Sequence, residues 1–299
     1  MSTRANKQTE GNGILYVVAT PIGNPDDISA RAIRTLEEVG LIACEDTRRT
    51  GQMLARHRIR TPTISHFEHN EERRVPELIE RLKAGEKIAL VTDAGTPAIS
   101  DPGYRLVRAA LDADVRVVAV PGASALAAAI SIAGIPTDRF TFEGFVPARD
   151  TPRTKALDQL RREPRTMVFY EAARRLPDTL AAMVAAFGES RDAAVVCEIT
   201  KTYERTIRGT LAELEPRFRA TPALGEIVIV VAGGAQQTSG VEADAREATI
   251  NMGDALEVLR EAGLGLKQAS AVVSRLTGRG RREVYQDALK SRDDDSNDD

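Results

Sequence analysis

Hydrophobic positions along the chain follow two alternating periodicities. Residues 14–19, ILYVVA, form a short continuous apolar run rich in β-branched residues, the pattern of a strand buried on both faces. The loop TPIGNPDDI follows, then SARAIRTLEEVG, where Ser29 is placed to cap a helix, Ala32, Ile33, Leu36 and Val39 form its apolar stripe, and Gly40 ends it. The alternation repeats through the strands LIAC, TISHF, KIALVTD and VRVVAV, with YRLVRAALDA as the helix before the last of them. Such alternation predicts βαβ units and a mostly parallel sheet. The small, apolar, Gly-bounded run PGASALAAAISIAG predicts a tightly packed helix. A second alternating set then brings the strands TMVFYEA, AAVVCEIT and EIVIVVAG, with a helix ending near Gly188.

The predicted class is α/β, with two α/β domains at residues 13–122 and 123–235. A chain of 299 residues accommodates two such domains. The polar stretch 234–250 reads as a linker, and MGDALEVLREAG, LKQASAVVSRLTG and RREVYQDALK as a small helical module at 251–290. Its short helices and tight Gly turns suit either a helix-turn-helix-like unit or a packed helical cap. Residues 1–12 and 291–299 are expected to be disordered.

Composition narrows the function classes. Aromatic residues make up only 4% of the chain and tryptophan is absent, which disfavours RNA binding through rows of stacked bases. The two cysteines, Cys44 and Cys197, lie inside apolar runs, as core thiols of a reducing compartment do. With no apolar leader and no run long enough for a membrane span, a cytoplasmic location without membrane contact is expected. The net charge of -3 conceals an uneven distribution, because the last nine residues hold five Asp and one Arg. Residues 146–175 carry eight Arg and Lys against four Asp and Glu, and residues 264–290 six against two. The overall charge is therefore a poor guide to what the folded surface binds.

Three glycine- and proline-rich loops follow directly on apolar strands: ATPIGNPDD (19–27), TDAGTPAISDPG (92–103) and VPGASA (120–125). In open α/β sheets ligands bind beyond the carboxyl ends of the strands, where all three loops fall. Glycine there admits a ligand to the backbone. Neither GxGxxG after the first strand nor GxxxxGK[ST] anywhere is present, so dinucleotide dehydrogenases and P-loop nucleotidases lose support.

The run GTPAISDPG at 95–103 resembles the signature of the ribosomal small-subunit methyltransferase I family, a branch of the tetrapyrrole methylases. Further similar stretches are LYVVATPIGNPDDIS (15–29), CEDTR (44–48), VPGASA (120–125), FYEAARRL (169–176) and EITKTYE (198–204), in the family's order. The resemblance implies an S-adenosylmethionine-dependent enzyme with the cofactor in a cleft between its two α/β domains. It also implies a homodimer acting on 16S rRNA of the small ribosomal subunit, at the 2′-hydroxyl of a cytidine in the decoding region. Carried over residue by residue, the cofactor loop falls on Asp93, Ala94, Gly95, Thr96 and Pro97, with Ile99 and Ser100 beyond. Pro21, Ile22, Gly23, Ser124, Ala125, Tyr170 and Glu171 complete the cofactor set. Corphin-ring methylases have Gly-Asp-Pro where this chain has Gly95-Thr96-Pro97, which points away from tetrapyrroles and towards RNA.

A ribose hydroxyl is a weak nucleophile, so a general base is sought. Glu45 and Asp46, at the end of the LIAC strand, are the favoured catalytic candidates, with capping of the following helix as the alternative; His66, Glu68 and Glu171 are further candidates. Arg48 and Arg49 suit phosphate contacts. Arg149, Arg153 and Lys155, and in the tail Lys267, Arg279, Arg281 and Arg282, are the other expected RNA contacts. No metal is expected, since His57, His66 and His69 lack well-spaced partners. The competing readings are a small-molecule tetrapyrrole methylase and a non-catalytic RNA-binding factor.

Overall fold

The computed structural model describes residues 13–234 and, further along, 259, 263–277, 280, 284 and 286. The chain divides into two compact units, one ending at Gln236 and one beginning at Gln237.

The first unit holds two five-stranded sheets. Strands β1 (Ile14–Val18), β2 (Leu41–Cys44), β3 (Thr63–Ser65), β4 (Lys87–Leu90) and β5 (Arg116–Val120) pair in the order β3-β2-β4-β1-β5, all parallel. Helices α1 (Ala30–Glu38) and α2 (Thr47–Arg56) bury Leu36 and Leu54 against one face, with Ile42 and Ala89. Helices α3 (Glu71–Lys83) and α4 (Tyr104–Asp112) bury Leu78, Leu82 and Leu106 against the other, with Leu15 and Ile88. Covering on both faces accounts for the unbroken apolar runs. Ser29 caps α1 as its position predicts, its hydroxyl accepting the Ala32 N–H at 3.0 Å. Strand β1 lies between β4 and β5, so the loops leaving these three strands open side by side on one sheet edge, where strand order reverses.

The second sheet departs from the expected parallel arrangement. It comprises β6 (Phe140–Phe145), β7 (Thr166–Ala172), β8 (Asp192–Cys197), β9 (Arg205–Thr210) and β10 (Glu226–Val231), in the order β6-β7-β10-β8-β9. Only β6 and β7 pair in parallel; β10 inserts antiparallel between β7 and β8, and β9 adds antiparallel to β8. Strands β7 and β8, joined by α7 (Leu176–Phe187), still run the same way. The alternating pattern is thus correct for that crossover, and β10 coincides with the predicted strand EIVIVVAG, but its antiparallel insertion has no local signature.

Two strands escape periodicity for an identifiable reason. Strands β6 and β9 are the sheet's edges, and in β9, RTIRGT, only Ile207 is buried. Helices α6 (Asp150–Gln159), α7 and α8 (Leu211–Ala220) pack Leu157, Leu180 and Leu214 on one face with Met167 and Ile229. The predicted small-residue helix, α5 (Ala125–Ala133), covers the other face through Ala129 and Ala133, against Val168 and Val228. Both thiols are buried and free, and burial raises the Cys44 pKa to about 11.

In the second unit, α9 (Leu266–Thr277) coincides with the predicted LKQASAVVSRLTG helix, and its Ala269 and Val273 are buried with Val284. Most of the other two predicted helices, the linker, both chain ends, and Arg279, Arg281 and Arg282 lie outside the described residues. Among the described residues no helix is long and apolar enough to cross a membrane.

Leu36 is fully buried and Leu111 is 55% exposed. Leu36→Ala should therefore cost about 2–5 kcal/mol of stability, and Leu111→Ala no more than about 0.5 kcal/mol. Urea denaturation of the two variants checks the assignment of the core.

Candidate active site

The three glycine- and proline-rich loops meet. Thr20 and Gly95 exchange two backbone hydrogen bonds, Thr20 N–H to the Gly95 carbonyl (2.8 Å) and Gly95 N–H to the Thr20 carbonyl (3.0 Å). The Thr20 hydroxyl donates to the Thr92 carbonyl at 3.1 Å, tying the same two loops again. The third loop joins through the Ala19 N–H to the Val120 carbonyl (3.2 Å) and the Thr96 hydroxyl to the Ala123 carbonyl (3.2 Å). Gly95 has φ +84°, a region that costs a side-chain-bearing residue about 1–2 kcal/mol. Ala98 and Ser100 nevertheless take left-handed φ of 68° and 62°. Such strain persists where surrounding contacts over-determine the backbone, and it concentrates at functional sites.

One of those contacts comes from beneath. Glu71, buried at the start of α3, accepts the Gly103 N–H at 3.0 Å and lies 3.4 Å from His66 Nε2. His66 is 1% exposed, and burial holds its imidazole below the usual pKa. It is therefore enclosed beside Glu71 and cannot meet a substrate, which corrects its candidacy as a base.

Above the loops, between the two sheets, opens a cavity of about 300 Å3. The first sheet's side contributes Ile22, Glu45, Arg49, residues 93–96 and 99–101; Ser124 and Ala125 stand at the N-terminus of α5. The second sheet contributes Phe145, Tyr170, Glu171 and residues 226–228. Of the cofactor set carried over from the resemblance, Ile22, Asp93, Ala94, Gly95, Thr96, Ile99, Ser100, Ser124, Ala125, Tyr170 and Glu171 line this cavity. Pro21 and Gly23 line an adjoining one, and Pro97 is buried and lines neither. Glu171 reaches the cavity wall, but its carboxylate is turned away: it accepts from the Thr179 hydroxyl (2.6 Å) and pairs with Arg175. That removes Glu171 from the candidate bases.

The cavity is acidic. Glu45, Asp93, Asp101 and Glu226 line it against a single guanidinium, Arg49, which pairs with Asp93 at 3.2 Å. Asp101 stands out chemically. Burial, and then the neighbouring carboxylates of Glu45, Asp93 and Glu226, push its pKa up to about 6, opposed by Thr92. The Thr92 hydroxyl has one proton to give, and donates it to Glu45 at 3.0 Å. Asp101 lies within the signature run 95–103, but nothing in the local sequence separates it from a turn-forming Asp before Pro. Its burial beside three other carboxylates is a product of the tertiary fold.

Asp46 takes the alternative role, capping. It accepts the Arg48 N–H at 2.8 Å at the start of α2, and the Arg48 guanidinium lowers its pKa to about 2. So weak a base, outside the cavity lining, is no proton acceptor. On the same helix Arg48 is exposed and paired with Asp46, while Arg49 lines the cavity. Arg149 and Lys155 are exposed at and near the start of α6. Arg153 is corrected: it is 9% exposed and paired with Asp150, on the inward side of α6, and is not available to RNA. Lys267 is exposed on α9.

Residues 14–215 match the sequence model of the tetrapyrrole (corrin/porphyrin) methylases. A ribosomal RNA small subunit methyltransferase I from Pseudomonas aeruginosa is 47% identical over 93% of this chain and 97% of its own. The enzyme of that name from Synechocystis is 44% identical over 93% and 98%. Among solved structures, a cobalt precorrin-4 methyltransferase shares the fold with a TM-score of 0.54 at 19% identity, covering 73% of this chain and 94% of its own. A uroporphyrin-III C-methyltransferase from Thermus thermophilus, complexed with S-adenosylhomocysteine, does so with a TM-score of 0.51 at 19% identity, covering 74% and 97%. The chain belongs to the ribosomal RNA small subunit methyltransferase I family, within the tetrapyrrole methylases.

Proposed function

We propose that this protein transfers the methyl group of S-adenosylmethionine to the 2′-hydroxyl of a cytidine in the decoding region of 16S rRNA. The observation that carries the reading is the acidic cavity at the meeting of the three loops. A sulfonium donor is a cation, and four carboxylates around a half-enclosed space suit it. The rRNA relatives at 41–47% identity support the substrate class. S-adenosylhomocysteine in a structural neighbour supports the cofactor.

The lining fits the donor's parts. Ser124 makes no capping bond, so its hydroxyl and the α5 N-terminus are open to a carboxylate. Ile99, Ile227, Val228 and the exposed ring of Phe145 offer an apolar wall for adenine. The Tyr170 hydroxyl accepts the Leu126 N–H at 3.1 Å, and its ring meets Phe142 and Phe145 at 4.8 and 5.5 Å. These contacts fix the wall between α5 and β6. When bound, S-adenosylmethionine supplies an electrophilic methyl group. The chain's own contribution is alignment, exclusion of water and removal of the acceptor's proton. Asp101 is the proposed proton acceptor, because its raised pKa makes it a stronger base than an ordinary carboxylate while leaving it ionised at neutral pH.

In this reading residues 13–122 and 123–235 are the two domains that close on the donor. The packing of α5 on the second sheet supports a boundary just before it. The module at 251–290 adds RNA contacts. The working form is a cytoplasmic homodimer acting on the small subunit; exposed Ile132 and Phe140 offer apolar surface for a second copy.

Calorimetry should show S-adenosylmethionine binding one site per chain, and absence of binding heat would defeat the reading. Methyl transfer to unmodified small subunits should fall as pH drops through about 6, because Asp101 is protonated below its pKa and cannot accept a proton. Asp101→Asn should lower kcat by about 10²-fold or more and abolish that acid limb. An unaltered rate and pH profile in this variant would assign proton removal elsewhere.

A further inference from the structure

The acidic cavity shares a wall with a second cavity of about 300 Å3, where Arg49, Arg56 and Lys201 outnumber the carboxylates of Asp93 and Glu226. Ile22, Arg49, Asp93, Ala94 and Glu226 line both. Beyond that wall the lining carries Arg56, His57 and Lys201. The long side of the second cavity is one face of α2. Arg49, Gln52, Met53 and Arg56 recur at helical spacing, so the two guanidinium-bearing positions stand about 10 Å apart along the axis.

The opposite side is built by a strained turn. Glu198 and Thr200 have left-handed φ of 52° and 65°, and the Thr200 hydroxyl donates to Asp27 in the first loop. This brings the Lys201 stem over Gly23, where a Cβ would come 2.6 Å from Lys201 Cγ. Lys201 Nζ is held 3.0 Å from Glu198. Arg49 and Lys201 thus have carboxylate partners. The Arg56 side chain is exposed, and its guanidinium makes no hydrogen bond or ion pair with another described residue. An unpaired guanidinium at the end of a basic cavity, beside a cavity built for a cation, is an arrangement for an anion.

We infer that this second cavity is the seat of the acceptor strand's phosphodiester backbone, with Arg56 as a phosphate contact, and Arg49 and Lys201 able to exchange their carboxylates for phosphate oxygens. The inference rests on the rRNA-methylation reading and deepens it. The strand would be held so that one ribose faces the shared wall, with the donor on the other side.

The test measures filter binding of unmodified small-subunit rRNA across a salt series, alongside donor calorimetry and methyl transfer. Arg56→Glu should weaken RNA binding by about tenfold and flatten the log–log salt slope by about 1, as loss of a phosphate contact does. Arg56→Gln, which keeps the helix end free of a new negative charge, should weaken binding in the same direction. Donor affinity should stay at the wild-type value in both. Arg73→Glu, an exposed charge on α3 across the first sheet from α2, should bind RNA as the wild type does. RNA affinity and slope unchanged in Arg56→Glu, or equal weakening in Arg73→Glu, overturn the inference. Methyl transfer separates the two levels. A wild type that binds RNA through Arg56 but methylates nothing upholds the seat and defeats the enzymatic reading. A wild type that methylates rRNA, with Arg56→Glu indistinguishable from it, does the reverse.

Discussion

The reciprocal hydrogen bonds between Thr20 and Gly95 are the constraint on which the site depends. Each loop follows a buried strand, and parallel pairing of β1 with β4 and β5 only brings the three loop starts side by side. The Thr20–Gly95 bridge, reinforced by the Thr20 hydroxyl on the Thr92 carbonyl, turns neighbouring loops into one floor. Left-handed conformations at Ala98 and Ser100 become tolerable there because the buried Glu71 holds the loop's far end at Gly103. Strain and support lie on opposite sides of the same loop, where a preorganised site needs them.

Charge then divides the space above that floor. Carboxylates gather where Glu45, Asp93, Asp101 and Glu226 converge; basic side chains gather on the outer face of α2 and the turn before β9. The Arg49–Asp93 pair stands on the partition. A cationic donor and a polyanionic acceptor need opposite surroundings within a short distance of each other. The net charge of the chain says nothing about this separation, because the two signs nearly cancel in the count while remaining apart in space.

What the sequence reveals follows from which forces are local. The first sheet is legible because its strands are buried on both faces and its helices carry apolar stripes and a cap at Ser29. The edge strands β6 and β9 are hidden by their polar, exposed residues, and the antiparallel insertion of β10 is a long-range choice with no pattern to betray it. The same division holds in the site. Backbone-shaping residues such as Gly95 and Ser124 are readable from loop chemistry and from the resemblance. Asp46 and Asp101, by contrast, are both acidic residues in loops that lead from a strand into a helix, and look alike in sequence. Arg48 beside the first and burial among carboxylates around the second send their pKa values in opposite directions, to about 2 and about 6. Arg153 looked like a surface cation for a similar reason; only the packing of α6 turns it inward.

In the proposed reaction this floor aligns a sulfonium methyl group with a ribose oxygen of small-subunit rRNA. Incubating the protein with radiolabelled donor and small subunits lacking the modification, then mapping the label to a nucleotide atom, is the decisive experiment. The expected result is label on the 2′-oxygen of one cytidine in the decoding region. Label on a base, or none on rRNA while a tetrapyrrole is methylated, would contradict it.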